Sequence, residues 1–175
     1  MYVIPHTQEM IDNSLRKAKE LGALNRSITR GQGNAAGYLG EEAVASYLGA
    51  DIMSSNEGTN KFNYDLILPN GIRAEVKSKR RTVPPQDFYD VSIAESSTHQ
   101  RPDIYIFVSL QFGIKTEAGK YNALEHVWLV GQKTPEDFFR LATLWKKGDV
   151  DATNNFTTHA DMYNLPINKL DGVVK

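Results

Sequence analysis

The sequence predicts a mixed α/β fold, with a central mixed sheet of four to five strands flanked by helices. Three observations carry that reading. Apolar residues recur at helical spacing through the first fifty positions, the pattern turns to two-residue alternation after Asn63, and helical signals return at Thr134-Pro135. Composition agrees, because 41% hydrophobic and 23% charged residues are ordinary for a folded chain. With 175 residues, one domain spanning 1–175 can bury a real core.

The elements follow in order. A helix is expected over residues 7–21, with Ile11, Leu15 and Ala18 on its apolar side. Arg16, Lys17, Lys19 and Glu20 make its solvated face, and Gly22 ends it. A polar, Gly-rich stretch leads to a second helix, capped by Asn34 and stopped at Leu48 by Gly49. On its wheel Ala36, Gly40, Val44, Tyr47 and Leu48 face the core, Glu41 sits on the rim of that stripe, and Glu42 projects to solvent. Gly37 and Gly40 would let this helix lie close to a sheet. Residues 64–68 and 72–79 read as two strands around a tight turn, and 88–94 as a third. The short polar piece 95–102 precedes a strongly apolar strand ending at Phe112. A fifth strand over 126–131 is expected to hairpin with it. Thr134-Pro135 then opens a helix running to Gly148, and residues 163–170 supply an edge strand. The chain thus divides into an N-terminal helix (about 7–21), a central core (about 34–110) and a C-terminal strand, helix and tail (123–175).

Several function classes drop out. There is no cysteine, which removes disulfide scaffolds, thiolate zinc sites and cysteine nucleophiles, and suits a reducing compartment. No apolar run approaches a membrane span, and MYVIPHTQEM has none of the parts of a secretory signal. A soluble cytoplasmic protein with no membrane partner is expected, so the acceptor triplets at Asn25 and Asn155 carry no glycosylation meaning. The glycines at 31, 33 and 37 miss the dinucleotide spacing by one residue, and no strand precedes them. His6, His99, His126 and His159 are scattered, with no pair at ligand spacing. His99 beside Gln100 reads as an ordinary loop histidine.

The chemistry concentrates in Glu41, Asp65, Glu75 and Lys77. Glu75, Lys77 and Lys79 share one face of their strand. A two-residue Asn70-Gly71 loop would put Asp65 and Glu75 on opposite faces. A three-residue Pro69-Asn70-Gly71 loop sets Asp65 directly opposite Glu75, and the residues favour it: proline suits the first central position of the turn and glycine the left-handed one that follows. Facing carboxylates repel unless one is protonated or a cation lies between them. An ordinary surface pair neutralised by Lys77 is the competing account. Charge placement adds to the picture. The whole chain is −1, yet residues 61–81 hold six Lys/Arg against two acids, which is +4 there and −5 elsewhere. Any nucleic-acid surface is therefore local, and Lys61, Lys79, Arg80 and Arg81 are its candidate phosphate contacts.

A helix with Gly-x-x-Gly-Glu41, a strand bearing Asp65, then Glu75-Val76-Lys77 after a short turn resembles the PD-(D/E)xK nuclease superfamily. The likeness covers residues 35–79 best and extends to about Leu110. Tyr64 stands where the name-giving proline would be, and Lys79 is a second lysine on the face of Lys77. The resemblance implies a restriction-endonuclease-like core whose connecting helix would come from residues 95–102. It also implies a Mg²⁺-dependent nuclease of phage or prokaryotic type that hydrolyses DNA phosphodiesters, with RNA an open variant and Mn²⁺ a substitute metal. Asp65, Glu75, Glu41 and the Val76 carbonyl would hold the metal, and Lys77 would handle the attacking water. Cutting both strands would call for a homodimer. Two other readings stand beside it: an inactive nuclease fold that only binds nucleic acid, and a structural domain whose acidic residues and lysine form a salt-bridge cluster.

Overall fold

The computed structural model describes residues 1–21, 32–53, 64–113, 123–151 and 156–173. Among them the fold is mixed α/β, and its main sheet has six strands rather than four or five, in the order β1-β7-β6-β4-β3-β2. These are β1 (Tyr2–Ile4), β2 (Asp51–Ile52), β3 (Leu66–Ile67), β4 (Arg73–Arg81), β6 (Ile104–Phe112) and β7 (Leu124–Lys133). The β4 and β6 strands run parallel and every other neighbouring pair is antiparallel. The added strands are short. β1 comes from the first residues, where no strand was expected, and pairs with β7 through Tyr2 to Ile4.

The β5 strand (Asp90–Ala94) is the unforeseen part of the topology. It leaves the main sheet and joins a second, three-stranded sheet in the order β5-β11-β8. β11 (Met162–Pro166) was expected at an edge but is the central strand of that sheet. β8 (Thr143–Trp145) occupies residues expected to be helical. The helix α3 starts as the sequence predicts, with Thr134 Oγ1 accepting the Asp137 N–H at 3.3 Å and Pro135 at its first position, but covers only Pro135–Leu141. Ala142 turns to extended backbone, and Leu144 then pairs with Tyr163. The implied helix between β5 and β6 is reduced to one 3₁₀ turn, Glu95–Ser97. A small antiparallel pair, β9 (Val150–Asp151) with β10 (Phe156–Thr157), completes the strands.

Two cores lie on opposite faces of the main sheet. One packs helix α2 (Gln32–Leu48), through Ala36, Leu39, Ala43 and Val44, against Ala74, Val76, Ile106, Val108 and Leu129. The other packs Tyr105, Phe107 and Val130 against Phe138 of α3 and Val91, Ile93 and Leu165 of the small sheet. The β6 strand is buried nearly throughout because it carries both cores. The first helix, α1 (Gln8–Leu21), packs on α2 and starts at Thr7, whose Oγ1 accepts the Met10 N–H at 3.2 Å. Its apolar face is set by Met10 and Ile11 with Ser14 buried between turns, while Leu15 is 56% exposed, against expectation. Because α1 covers a second side of α2, Glu42 does not reach out to solvent but pairs with Lys17 at 2.8 Å. Among the described residues no helix is long and apolar enough to cross a membrane.

Candidate active site

The β3–β4 hairpin sets the site. Its register pairs Leu66 with Ala74 and Ile67 with Arg73, so the three-residue loop is the one formed. Leu68 N–H donates to Ile72 O at 2.9 Å and Gly71 N–H to Leu68 O at 2.8 Å. Gly71 has φ +82°, the left-handed conformation that the glycine was expected to supply. Carried one step further, the register brings Asp65 opposite Glu75.

Pairing as a ladder stops at Leu66, however. The Asp65 N–H donates to Ala74 O at 2.9 Å, and its Oδ2 accepts the Val76 N–H at 2.8 Å. The Asp65 carboxylate therefore takes the place a neighbouring strand would have occupied and lies along the open edge of β4. A strand residue presents its N–H and C=O to the same edge, so the Val76 carbonyl is directed to the Asp65 side.

Glu41 reaches this edge from the helix side. Gly40 makes that approach close, because a Cβ there would overlap Ser78 Oγ and lie 3.3 Å from Ser78 Cβ. Gly37, by contrast, would meet only Glu41 of its own helix, at 3.9 Å, so Gly40 alone of the two is required. From the other face of β4 comes Glu75, 5% exposed. Its Oε1 accepts from Lys77 Nζ at 2.8 Å and Gln100 Nε2 at 2.5 Å, and Lys77 Nζ also donates to Gln100 Oε1 at 2.8 Å. Glu75 Oε2 is buried and finds no partner among the described residues.

The three carboxylates act on one another. Burial first, then the Glu75 charge, pushes the Glu41 carboxyl up to about 7 despite Lys17. Burial, then Glu41 and Glu75, pushes Asp65 up to about 8, although the Val76 N–H opposes the shift. The Tyr105 hydroxyl, on the β6 residue paired with Glu75, is buried without a partner among the described residues and is raised to about 12 by burial and by Glu75. The site as placed couples three carboxyl groups, two of them held toward the protonated form, with Lys77 bonded to Glu75 and Lys17 also acting on Glu41. Among the described residues, no group of three or more His, Asp or Glu stands close enough together to enclose a metal ion.

The expected basic stripe divides differently. Lys79 Nζ donates to Asp90 O at 3.1 Å and Ser92 Oγ at 3.2 Å, and burial, then Arg81, lowers its pKa to about 8. Arg81 donates through Nη2 to Asp90 O at 2.8 Å and through Nε to Ser109 Oγ at 3.1 Å, and it stacks 4.8 Å from the centre of the Tyr89 ring. Both side chains thus tie β5 to β4. Arg80 alternates to the α2 side of the sheet. Lys61 lies outside the described residues.

Gln100 is the site residue that the sequence reading passed over. Its neighbour His99 is exposed and turned to Ser96 O, 2.9 Å from Nδ1. A contact spanning twenty-five residues, made by one amide in an irregular stretch, leaves no periodic trace. Compared with models of known protein families and with curated proteins, the chain matches none.

Proposed function

We propose that the protein is a metal-dependent nuclease that hydrolyses the phosphodiester bonds of DNA, built on a restriction-endonuclease-like core. The observation that carries this reading is the electrostatic coupling of Glu41, Asp65 and Glu75, which come from a helix, a strand end and a strand beside Lys77; as placed they do not enclose an ion, so a bound cation would have to draw them together. Three mutually repelling carboxylates, one with a buried and unpartnered oxygen, suit a hard divalent cation better than they suit each other. Asp65, Glu75, Glu41 and the Val76 carbonyl are the groups that would hold Mg²⁺, with Mn²⁺ as its substitute. When bound, such an ion polarises a phosphoryl oxygen and lowers the pKa of its water.

The chain's own residues supply the rest. Two of the ammonium protons of Lys77 are engaged by Glu75 and Gln100, leaving a third to orient the attacking water or a phosphate oxygen. Gln100 fixes the Lys77 amine in that position. The Glu75–Lys77–Gln100 network also favours a second reading, a structural salt-bridge cluster in which Lys77 is the counter-charge bonded to Glu75. Cleavage of plasmid, branched and single-stranded DNA in Mg²⁺, Mn²⁺ or EDTA separates the two. Wild type is expected to cut with metal, and Asp65→Asn or Glu75→Gln to lower the rate at least 100-fold without unfolding the chain. Absence of metal-stimulated cutting of either DNA or RNA by wild type would leave the salt-bridge reading.

A further inference from the structure

The loop that leaves β4, residues 82–89, presents apolar surface outward. Phe88 is 73% exposed, the most exposed large hydrophobic side chain among the described residues, and Val83 on the same loop is 47% exposed. Singly scattered apolar residues on a surface need no explanation, but two on one short loop do. The loop is also braced. Asp87 O accepts the Asn168 N–H and Tyr89 O the Ile167 N–H, both at 2.9 Å, so the backbone on each side of Phe88 is pinned to the segment after β11. Tyr89 N–H donates to Gln86 O at 2.9 Å, and Pro85 is buried next to Pro84. An aromatic ring held this firmly in water has not simply failed to collapse.

A ladder of side chains leads to it. The Arg81 guanidinium lies over Tyr89, and the Phe88 ring meets Tyr89 at 4.9 Å and 78°. The loop carries one carboxylate, Asp87, and Asp90 follows it, while Lys79, Arg80 and Arg81 precede it on the strand. Lys77 and Arg81 are four residues apart on β4, or about 13 Å, so the ring lies beyond the reacting centre along the same strand.

We infer that Phe88 is a stacking platform for an unpaired base of a nucleic acid whose backbone runs past the end of β4. This rests on the nuclease reading and narrows its substrate to single strands, or to duplexes with frayed, flapped or branched ends. Stacking on an aromatic face accepts any base, and Arg81, which lies over the neighbouring Tyr89 ring and gives its hydrogen bonds to a backbone carbonyl and a hydroxyl, is the cation that favours a polyanion there.

The test is binding in EDTA, where no cutting occurs, followed by anisotropy with a fluorescein-labelled single strand and its blunt duplex, and by 2-aminopurine emission within the single strand. Phe88→Ala is expected to weaken single-strand binding about 5- to 150-fold, the span of one lost base stack, with a smaller effect on the duplex. Phe88→Trp keeps a π-face and is expected to retain both affinity and 2-aminopurine quenching. Equal single-strand affinity for wild type and Phe88→Ala overturns the inference while leaving the nuclease reading intact. Unchanged affinity together with a dimer-to-monomer shift in Phe88→Ala, read by sedimentation, overturns it in favour of a contact between protein chains. Failure of wild type to bind either DNA, in EDTA and in Ca²⁺ alike, removes the nuclease reading itself.

Discussion

Asp65 is held by two opposing influences, a backbone N–H that favours its ionised form and two neighbouring carboxylates that, with burial, favour the neutral one. The second influence wins, and that fixes a sign. In the unfolded chain the carboxyl ionises near its ordinary value of 3.8, whereas in the fold it keeps its proton to about 8. Between those values the folded state binds the extra proton, so stability falls as pH rises through the window. In EDTA, Asp65→Asn is expected to melt above wild type at pH 8 and to approach it near pH 5. A gap that does not move with pH would refute the account. Adding Mg²⁺ at pH 8 should raise the wild-type midpoint, by the equivalent of about 2.7 kcal/mol at a hundredfold excess over Kd, and leave Asp65→Asn little changed. At this scale the sequence was informative where a turn dictates geometry: Pro69-Asn70-Gly71 was enough to set the register that pairs Leu66 with Ala74. It was silent on the direction of the Asp65 carboxylate, which depends on β3 ending at Leu66.

Among the elements, the closest fit is α2 on β4, and it turns on the single hydrogen of Gly40. Gly40→Ala is expected to cost about 1–3 kcal/mol, because the new methyl meets Ser78 Oγ and sits close to Ser78 Cβ, so the serine side chain or the helix must give way. Gly37→Ala, with room around it, should be neutral or gain up to about 1 kcal/mol from helix propensity. Chemical denaturation of the two variants gives the comparison, and equal effects would mean that the helix does not rest on Ser78. The pair Gly37 and Gly40 indicated that α2 approaches a sheet closely but not which glycine touches it. The misreading of residues 143–145 has a similar origin. Phe138, Phe139, Leu141 and Trp145 fit helical spacing, and it is the pairing of Thr143, Leu144 and Trp145 with Asn164, Tyr163 and Met162 that makes that stretch a strand. Local pattern cannot display a partner so far along the chain.

On the scale of the whole molecule, two sheets are joined where Lys79 and Arg81 reach β5. Both cations were legible as charge, while their attachment was not, since β5 was expected as one more strand of a single central sheet. Arg81→Ala removes two hydrogen bonds and a ring contact at once. A loss of about 2–4 kcal/mol is expected, with faster hydrogen exchange at residues 90–94, and Arg81→Lys should restore it only in part because an ammonium cannot reproduce the planar fork. Exchange at those residues unchanged from wild type would show that β5 is held by its own sheet alone. That sheet has a further consequence. Its middle strand, β11, follows both of its partners in the chain, so during synthesis β5 emerges from the ribosome long before the strand that completes it. The sheet that Lys79 and Arg81 reach is thus assembled late, and a nascent chain halted before Met162 should have its main sheet while remaining open to proteases at residues 90–94.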